Sequence, residues 1–170
     1  EQRDKKREGR KPEPGQGQRA LVLGAGPVGL LGCLALLVRG FETWVYSLEP
    51  QGGPKAEWVA SVGARYISGA DVPVARLAEA TGGIDLVYEA TGAAKISFEA
   101  LEELGPNGVF VFTGVPGRKG PIELQANALM RRLVLDNQLV FGTVNAGPDA
   151  FEAAISDLEQ FHTRWPSALG

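Results

Sequence analysis

The chain has 170 residues, of which 44% are hydrophobic and 23 are glycine, and its formal net charge is −3. This length predicts a single domain with a sizeable core, and no apolar run reaches the ~18 residues that a membrane span requires. Residues 20–170 carry ten basic and sixteen acidic side chains, a balance that argues against a nucleic-acid-binding protein.

The first 19 residues, EQRDKKREGRKPEPGQGQR, hold seven Lys or Arg and four Asp or Glu. A basic arm of this kind is one feature of nucleic-acid-binding proteins. This segment mixes both charge signs and lacks aromatic side chains, so we favour a solvated helix end followed by a Pro/Gly linker. The sequence therefore predicts a basic tail or linker over residues 1–19 and one domain over residues 20–170.

From residue 20 onwards, short apolar runs alternate with longer helix-like segments. The predicted strands are residues 20–23, 43–47, 65–67, 84–88, 109–113 and 139–144. The predicted helices are residues 27–39, 55–62, 74–80, 93–104, 124–136 and 148–161. Glycines follow several of these helices, where a C-terminal cap needs positive φ: Gly40, Gly63, Gly82 and Gly105. The alternation predicts an α/β fold, a doubly wound parallel sheet of about six strands of the Rossmann type.

The segment ALVLGAGPVGLL, residues 20–31, joins the first predicted strand to the first predicted helix. In its G-x-G-x-x-G pattern Gly24 allows a tight turn, Gly26 lets the backbone approach a pyrophosphate, and Gly29 lets the helix pack closely on the strand. Pro27 has no N–H and suits the first helical position, while the free N–H groups of a helix start attract phosphate. Within a strand–turn–helix unit the pattern predicts dinucleotide binding rather than a chance glycine turn.

The glycine loop alone does not identify the dinucleotide. The first fifty residues also resemble the opening of flavin monooxygenases, which often read G-A-G-P-x-G-L and end their second strand in Glu. Glu49 lies twenty residues after Gly29, where an acidic side chain accepts hydrogen bonds from a ribose. FAD and a nicotinamide dinucleotide are both open at this point.

The stretch GGIDLVYEATGAAKISFEALEELGPNGVFVFTGVPG, residues 82–117, distinguishes the two cofactors. It contains E-A-T-G at residues 89–92, a P-x-G turn at 106–108 and G-V-P at 114–116. In this order it resembles the medium-chain dehydrogenase/reductase family, in which the fourth strand ends in D/E-A-T-G and the fifth closes in G-V-P. Flavin monooxygenases do not continue in this way, so a nicotinamide cofactor is favoured.

Three further segments narrow the resemblance: GFETWVYSLEP (residues 40–50), VFGTVNAGPDAFEAAISDLEQF (140–161) and WPSALG (165–170). They look like the cofactor domain of the glucose dehydrogenase branch, which carries a V-N-x motif after its last strand and a W/Y-P turn further on. This resemblance covers residues 20–170. It implies the NAD(P)-binding domain of a zinc-type glucose, sugar or polyol dehydrogenase, an oxidoreductase that acts on CH–OH groups.

The resemblance also implies which residues bind the cofactor. Contacts to the pyrophosphate are implied for the glycine loop: Gly24, Gly26, Pro27, Val28 and Gly29. Thr91 and Gly92 are implied to lie near the nicotinamide-side ribose, and Gly114 and Val115 to offer backbone groups to the carboxamide. Asn145, in the V-N motif, is implied to lie by the nicotinamide and the sugar, although a local turn residue that bonds its own backbone is an alternative.

The end of the second predicted strand departs from one pattern of that branch. Glucose dehydrogenases that favour NADP often carry an Asn-Arg-Arg run there, and arginine pairs well with a 2′-phosphate. This chain has Ser47-Leu48-Glu49 instead. Glu49 suits a free 2′-OH, whereas Lys55 is near enough in sequence to reach a phosphate. We expect NAD or NADP to bind, with a preference for NAD.

The chain has one cysteine, Cys33, and one histidine, His162. No disulfide can form within it, which predicts a reducing, cytoplasmic location, and Cys33 is expected to be a small core residue. A zinc site needs three or four ligands, so we predict neither a metal site nor catalytic residues here. The resemblance implies that a separate N-terminal domain of GroES-like fold holds the zinc, and that this chain alone is inactive.

Two alternative functions remain open. Another medium-chain alcohol dehydrogenase, for example of the threonine type, is expected to lack the V-N motif, which makes Asn145 the discriminating residue. A dinucleotide-sensing module without chemistry belongs to a different class. The expected partners are a nicotinamide dinucleotide and, with the catalytic domain, a sugar or alcohol, but neither nucleic acid nor a membrane. The resemblance also implies a homo-oligomer that pairs through the strand at residues 139–144.

Overall fold

The computed structural model describes residues 15–117 and 120–169, which form a single sheet covered by helices. The strands are β1 (Arg19–Leu23), β2 (Glu42–Ser47), β3 (Arg65–Ser68), β4 (Leu86–Glu89), β5 (Val109–Phe112) and β6 (Leu139–Gly142). The α-helices are α1 (Pro27–Val38), α2 (Pro54–Ser61), α3 (Leu77–Thr81), α4 (Ala94–Glu102), α5 (Ala126–Leu135) and α6 (Pro148–Arg164). Residues 1–14 of the predicted basic tail lie outside the described residues.

The strands are parallel throughout, and their order in the sheet is β3-β2-β1-β4-β5-β6. The chain runs outwards from β1 to β3 and then crosses to β4 on the other side of β1. The carboxyl ends of β1 and β4 therefore lie side by side where the strand order reverses, the place at which open α/β sheets bind ligands. The predicted doubly wound Rossmann fold is confirmed.

The side chains of β1 show why helices cover both faces of the sheet. Ala20 and Val22 belong to a buried cluster with residues of α1, α2 and α6. Leu21 and Leu23 belong to a second cluster with residues of α3 and α4, and α5 packs against it. All four side chains are buried, as expected for a central parallel strand with four successive apolar residues.

The glycine caps were predicted only in part. Three of them have positive φ, as expected: Gly40 (+84°), Gly63 (+90°) and Gly82 (+75°). The prediction for Gly105 is wrong, because the left-handed residue of that turn is Asn107, with φ +58°. A Cβ on Gly105 would lie 3.0 Å from the carbonyl oxygen of Ile84, so glycine serves there for a close backbone approach.

Several element ends differ from the predicted ones by one to three residues. The helix predicted over residues 74–80 is a 3₁₀ turn, Val74–Arg76, followed by α3. Arg76, with φ −122° and ψ +11°, interrupts the regular helix between the two. In the part of the chain that the structure describes, no helix combines the length and the apolar character needed to cross a membrane.

Candidate dinucleotide-binding site

The candidate site lies at the carboxyl edge of the sheet, where the loops after β1, β2, β4 and β5 converge. Gly24, directly after β1, has φ +104° and donates its N–H to the carbonyl oxygen of Tyr46 at 2.8 Å. A Cβ on Gly24 would lie 2.8 Å from Cγ2 of Thr91, in the loop after β4. Glycine therefore allows both the left-handed turn and the contact between the two loops.

The other two glycines of the loop differ in what surrounds them. A Cβ on Gly29 would lie 2.0 Å from the carbonyl oxygen of Gly24, so a side chain there would push α1 away from the end of β1. A Cβ on Gly26 would meet no atom within 4 Å. Gly29 is therefore required by packing, whereas Gly26 faces open space, which fits the close approach of a pyrophosphate.

The start of α1 is open to an anion. Gly26 is its N-cap, Pro27 occupies the first turn, no side chain caps the helix, and the first turn has no acidic residue. The first N–H groups of a helix have no partner within the helix, and they lie at the positive end of its dipole. Val28, in the same turn, is 56% exposed. The arrangement fits a phosphate group.

A glycine followed by proline also begins α2 and α6. At Gly53 and Gly147 φ is −83° and −79°, nearly the value of −83° at Gly26. A helix start of this type therefore does not identify a ligand site by itself. The loop before α1 differs because Gly24 and Gly29 bring the helix start against the ends of β1 and β4.

A cavity of about 240 Å³ adjoins Gly24 on the side of β2. It is lined by Gly24, Tyr46, Ser47, Leu48, Glu49, Thr91, Ala93 and Ile96. Leu48 is 66% exposed, an apolar side chain available to contact a flat ring. Leu48 and Ile96 were not predicted as site residues, although an exposed leucine directly after a buried strand was a signal that could have found Leu48.

Glu49 lines this cavity and forms an ion pair that the sequence did not predict. The Nζ atom of Lys55, at the start of α2, lies 2.5 Å from Oε1 of Glu49, and the two side chains are 42% and 51% exposed. The hydroxyl of Tyr66 donates to the backbone carbonyl of Glu49 at 3.1 Å. The pair presents an anion that suits a sugar hydroxyl and a cation that suits a phosphate.

The loops after β4 and β5 touch backbone to backbone. Gly92 has φ +63°, and a Cβ there would lie 2.6 Å from the carbonyl oxygen of Val115. A Cβ on Gly114 would lie 2.2 Å from the backbone nitrogen of Gly92. The structure therefore brings Thr91, Gly92, Gly114 and Val115 to one place, next to the glycine loop, and Val115 is 77% exposed.

The loop after β6 begins beside the loop after β5, since the N–H of Thr143 donates to the carbonyl oxygen of Phe112 at 3.0 Å. Asn145, two residues further on, is exposed. It does not line the cavity beside Gly24. Asn145 therefore shares the carboxyl edge of the sheet with the other predicted residues, and its place by the nicotinamide stays a prediction.

Cys33 lies in the core on the α1 face of the sheet. Its burial raises the pKa of the thiol to about 12, so the thiol stays protonated at neutral pH and is a poor metal ligand or nucleophile. Among residues 15–117 and 120–169, no three His, Cys, Asp or Glu side chains are grouped to hold a metal ion. These residues do not fit a zinc site.

Comparison with known proteins points to one family. The family described as glucose dehydrogenase C-terminus matches residues 3–169. The chain is 34% identical over 152 residues to the glucose 1-dehydrogenase of Methanocella arvoryzae, and 42% identical over 141 residues to that of Thermoproteus tenax. These matches cover 89% and 83% of this chain but 42% and 39% of the relatives. The chain thus spans about two-fifths of their length.

A solved structure of similar fold is the glucose dehydrogenase of Haloferax mediterranei in complex with NADP, Zn and gluconolactone. Its TM-score is 0.79 at 30% sequence identity, and the match covers 88% of this chain and 42% of that one. The resemblance seen in the sequence to zinc-type medium-chain dehydrogenases, and to their glucose dehydrogenase branch in particular, is confirmed.

Proposed function

This chain belongs to the glucose dehydrogenase C-terminal family, and we propose that it binds a nicotinamide dinucleotide within a zinc-type sugar or polyol dehydrogenase. The observation that carries the proposal is the uncapped start of α1, where Gly26 faces open space at the reversal point of the sheet. The Haloferax relative in complex with NADP and gluconolactone supports it.

Each loop of the site has a defined task in this proposal. The pyrophosphate binds the free N–H groups at the start of α1, beside Gly26, and Glu49 accepts hydrogen bonds from the adenosine ribose. The nicotinamide half lies against residues 91–92 and 114–115 and near Asn145. When bound, the dinucleotide would supply the hydride acceptor for oxidation of the carbon that carries the alcohol. This chain holds the hydride acceptor in place and supplies neither acid nor base.

Zinc and the residues that hold the sugar belong, in this proposal, to the part of the enzyme that this chain does not span. The described residues do not fit a metal site, and the relatives are more than twice as long as the part matched here. Oxidation of glucose or a related polyol is accordingly a property of the longer protein, to which this chain contributes the cofactor-binding site. A cytoplasmic location stays a prediction.

A modest preference for NAD over NADP is part of the proposal. Glu49 repels a 2′-phosphate and accepts hydrogen bonds from a free 2′-OH. Lys55, paired with Glu49 at 2.5 Å, weakens that repulsion and keeps NADP as a second ligand.

A second copy of this chain is proposed as a partner at the β6 edge of the sheet. Among the described residues, the outer edge of β6 has no neighbouring strand in the order of the sheet, and Leu139 and Phe141 are 55% and 42% exposed. On the adjoining α5, Met130 and Val134 are 65% and 73% exposed. An apolar, unpaired edge strand favours pairing with a second strand.

The test of dinucleotide binding is Gly26→Val, because a Cβ at Gly26 meets no atom of the chain but enters the space in front of the helix start. We expect Gly26→Val to fold as the wild type does and to bind NADH at least about tenfold more weakly. Gly147→Val is the matched control: Gly147 is also an extended N-cap before proline, with no atom within 4 Å of its Cβ position. Calorimetry with NADH decides, and equal affinities in the three proteins, or purification with bound flavin, contradicts the proposal.

A further inference from the structure

Glu89, the last residue of β4, is fully buried. Burying a carboxyl group away from water is unfavourable unless its oxygens accept hydrogen bonds from the protein. The hydrogen bonds of Glu89 show which neighbouring residues it orients.

One carboxyl oxygen holds the loop after β4. Oε1 of Glu89 accepts hydrogen bonds from the N–H of Thr91 at 2.6 Å, from the hydroxyl of Thr91 at 2.6 Å and from the N–H of Gly92 at 2.9 Å. The Thr91 hydroxyl in turn accepts the N–H of Ala93 at 2.9 Å, which leaves its own proton for Glu89. Thr91 and Gly92 are thus hydrogen-bonded directly to one oxygen atom, and Ala93 is linked to it through the Thr91 hydroxyl.

The same residue also holds the loop after β5. Oε2 of Glu89 accepts the N–H of Gly114 at 3.2 Å, and the backbone carbonyl of Glu89 accepts the same N–H at 3.1 Å and the hydroxyl of Thr113 at 2.7 Å. A Cβ on Gly114 would lie 2.7 Å from Oε2, so glycine is needed for this approach. Glu89 therefore joins two loops that lie more than twenty residues apart in the sequence.

We propose that Glu89 is a positioning residue that locks the loops after β4 and β5 together and so sets where the nicotinamide half of the dinucleotide lies. The inference rests on the proposed function, which puts the nicotinamide half against these two loops. The pyrophosphate and adenosine half instead contacts the start of α1 and the end of β2. Thr91 and Ala93 also line the cavity beside Glu49, so a change at Glu89 reaches both halves of the ligand. It acts more strongly on the nicotinamide half, which alone contacts Gly114 and Val115 in the proposed function.

The test compares NADH with ADP, which lacks both the nicotinamide and its ribose, in Glu89→Gln. The glutamine amide brings N–H groups where Oε2 accepts the Gly114 N–H, so two donors face each other and the N–H of Gly114 keeps only the backbone carbonyl of Glu89 as its acceptor. We expect the ratio of the NADH to the ADP dissociation constant to rise about tenfold. A purely structural loss would weaken both ligands equally and leave the ratio unchanged, which overturns the proposal.

Asp85→Asn is the matched control. Oδ2 of Asp85 accepts the N–H of Arg19 at 2.7 Å, so this carboxyl also holds the backbone, but at the opposite end of β4. We expect Asp85→Asn to lower the melting temperature without changing the ratio. If Glu89→Gln does not fold, Glu89→Asp is the alternative variant, because it keeps the carboxyl group on a side chain that is one methylene shorter. The same rise in the ratio is expected.

Amide hydrogen exchange without ligand gives an independent readout. Exchange at Thr91, Gly92 and Gly114 should be at least about tenfold faster in Glu89→Gln than in the wild type. The amides of Thr91 and Gly92 then donate to a neutral amide oxygen, a weaker acceptor than a carboxylate, and the amide of Gly114 keeps only the backbone carbonyl of Glu89. Unchanged exchange at these amides overturns the coupling of the loops. A wild-type chain that binds neither NADH nor ADP overturns the proposed function, and the positioning role with it. A wild-type chain that binds both, with an unchanged ratio in the variant, overturns the positioning role alone.

Discussion

Gly29 and Gly26 differ in what a side chain would meet, and this difference is measurable in stability. Gly29→Ala places a Cβ 2.0 Å from the carbonyl oxygen of Gly24, so we expect the free energy of unfolding to fall by about 1–3 kcal/mol. Gly26→Ala meets no atom within 4 Å and should cost less than about 1 kcal/mol, through weaker capping. Urea unfolding of both variants measures the difference, and equal losses would contradict it.

We expect single side chains to decide the choice between NAD and NADP as well. Ser47→Arg, Leu48→Arg and Glu49→Ser together should shift the ratio of the two affinities at least about tenfold towards NADP, because guanidinium groups pair with the 2′-phosphate and the repelling carboxylate is gone. Calorimetric titration of NADH and NADPH into the wild type and the triple variant measures this ratio.

A single change isolates the contribution of the cation at this position. Lys55→Gln removes the partner of Glu49 and should weaken NADPH binding more than NADH binding, since only NADPH carries the 2′-phosphate. A wild-type chain that binds NADPH more tightly than NADH would refute the preference for NAD.

For single residues, the sequence predicted the roles that depend on spacing along the chain. It did not predict contacts between residues that are distant in sequence and close in the fold. The pattern of Gly24, Gly26 and Gly29 predicted a turn, an open approach and a close packing contact, and the geometry agrees with each. The hydrogen bond from Gly114 to Glu89 joins the loop after β5 to the end of β4. No local pattern encodes such a bond, because it depends on how neighbouring strands are aligned.

At the scale of elements, apolar runs predicted every strand and helix of the described chain, but not the order of the strands. Periodicity reports which residues are buried, whereas strand order is set by the side on which each helix packs. Element ends depend on single residues. The helix predicted over residues 74–80 is divided at Arg76, whose backbone leaves the helical region, and no propensity indicated this.

The prediction at the scale of elements concerns the edge strand β6. Leu139→Lys puts a charge on a side chain that is 55% exposed, and charged residues on an edge strand oppose pairing with another chain. We expect the wild-type chain to be dimeric by light scattering and Leu139→Lys to be monomeric, with an unchanged melting temperature when both are measured as monomers.

Ile155→Lys is the control for this experiment. Ile155 is 62% exposed but lies on α6, which covers the opposite face of the sheet from α5. We expect Ile155→Lys to leave the dimer intact. A wild-type chain that is monomeric at all concentrations, or equal dissociation in the two variants, would contradict pairing through β6.

For the whole molecule, we expect residues 1–170 to bind the dinucleotide and to catalyse nothing. Hydride transfer requires the alcohol carbon and the nicotinamide to be held roughly 3–3.5 Å apart, and a group that stabilises the developing alkoxide. The described residues contain no cluster suited to a metal ion, and the thiol of Cys33 is buried and protonated. NADH formation from NAD and glucose should therefore stay at background, with or without added zinc.

Activity should return when the part of a glucose dehydrogenase that precedes its C-terminal domain is fused ahead of residue 1. The solved Haloferax mediterranei enzyme offers that part, since this chain covers only 42% of it. In the fusion, Asn145→Ala should lower kcat at least about tenfold if Asn145 orients the sugar beside the nicotinamide. Asn137→Gly is a control at another asparagine, in the turn between α5 and β6, where the φ of +51° suits glycine, and it should leave kcat unchanged. Glucose-dependent NADH production by residues 1–170 alone would contradict the assignment of catalysis to the part of the enzyme that lies outside this chain.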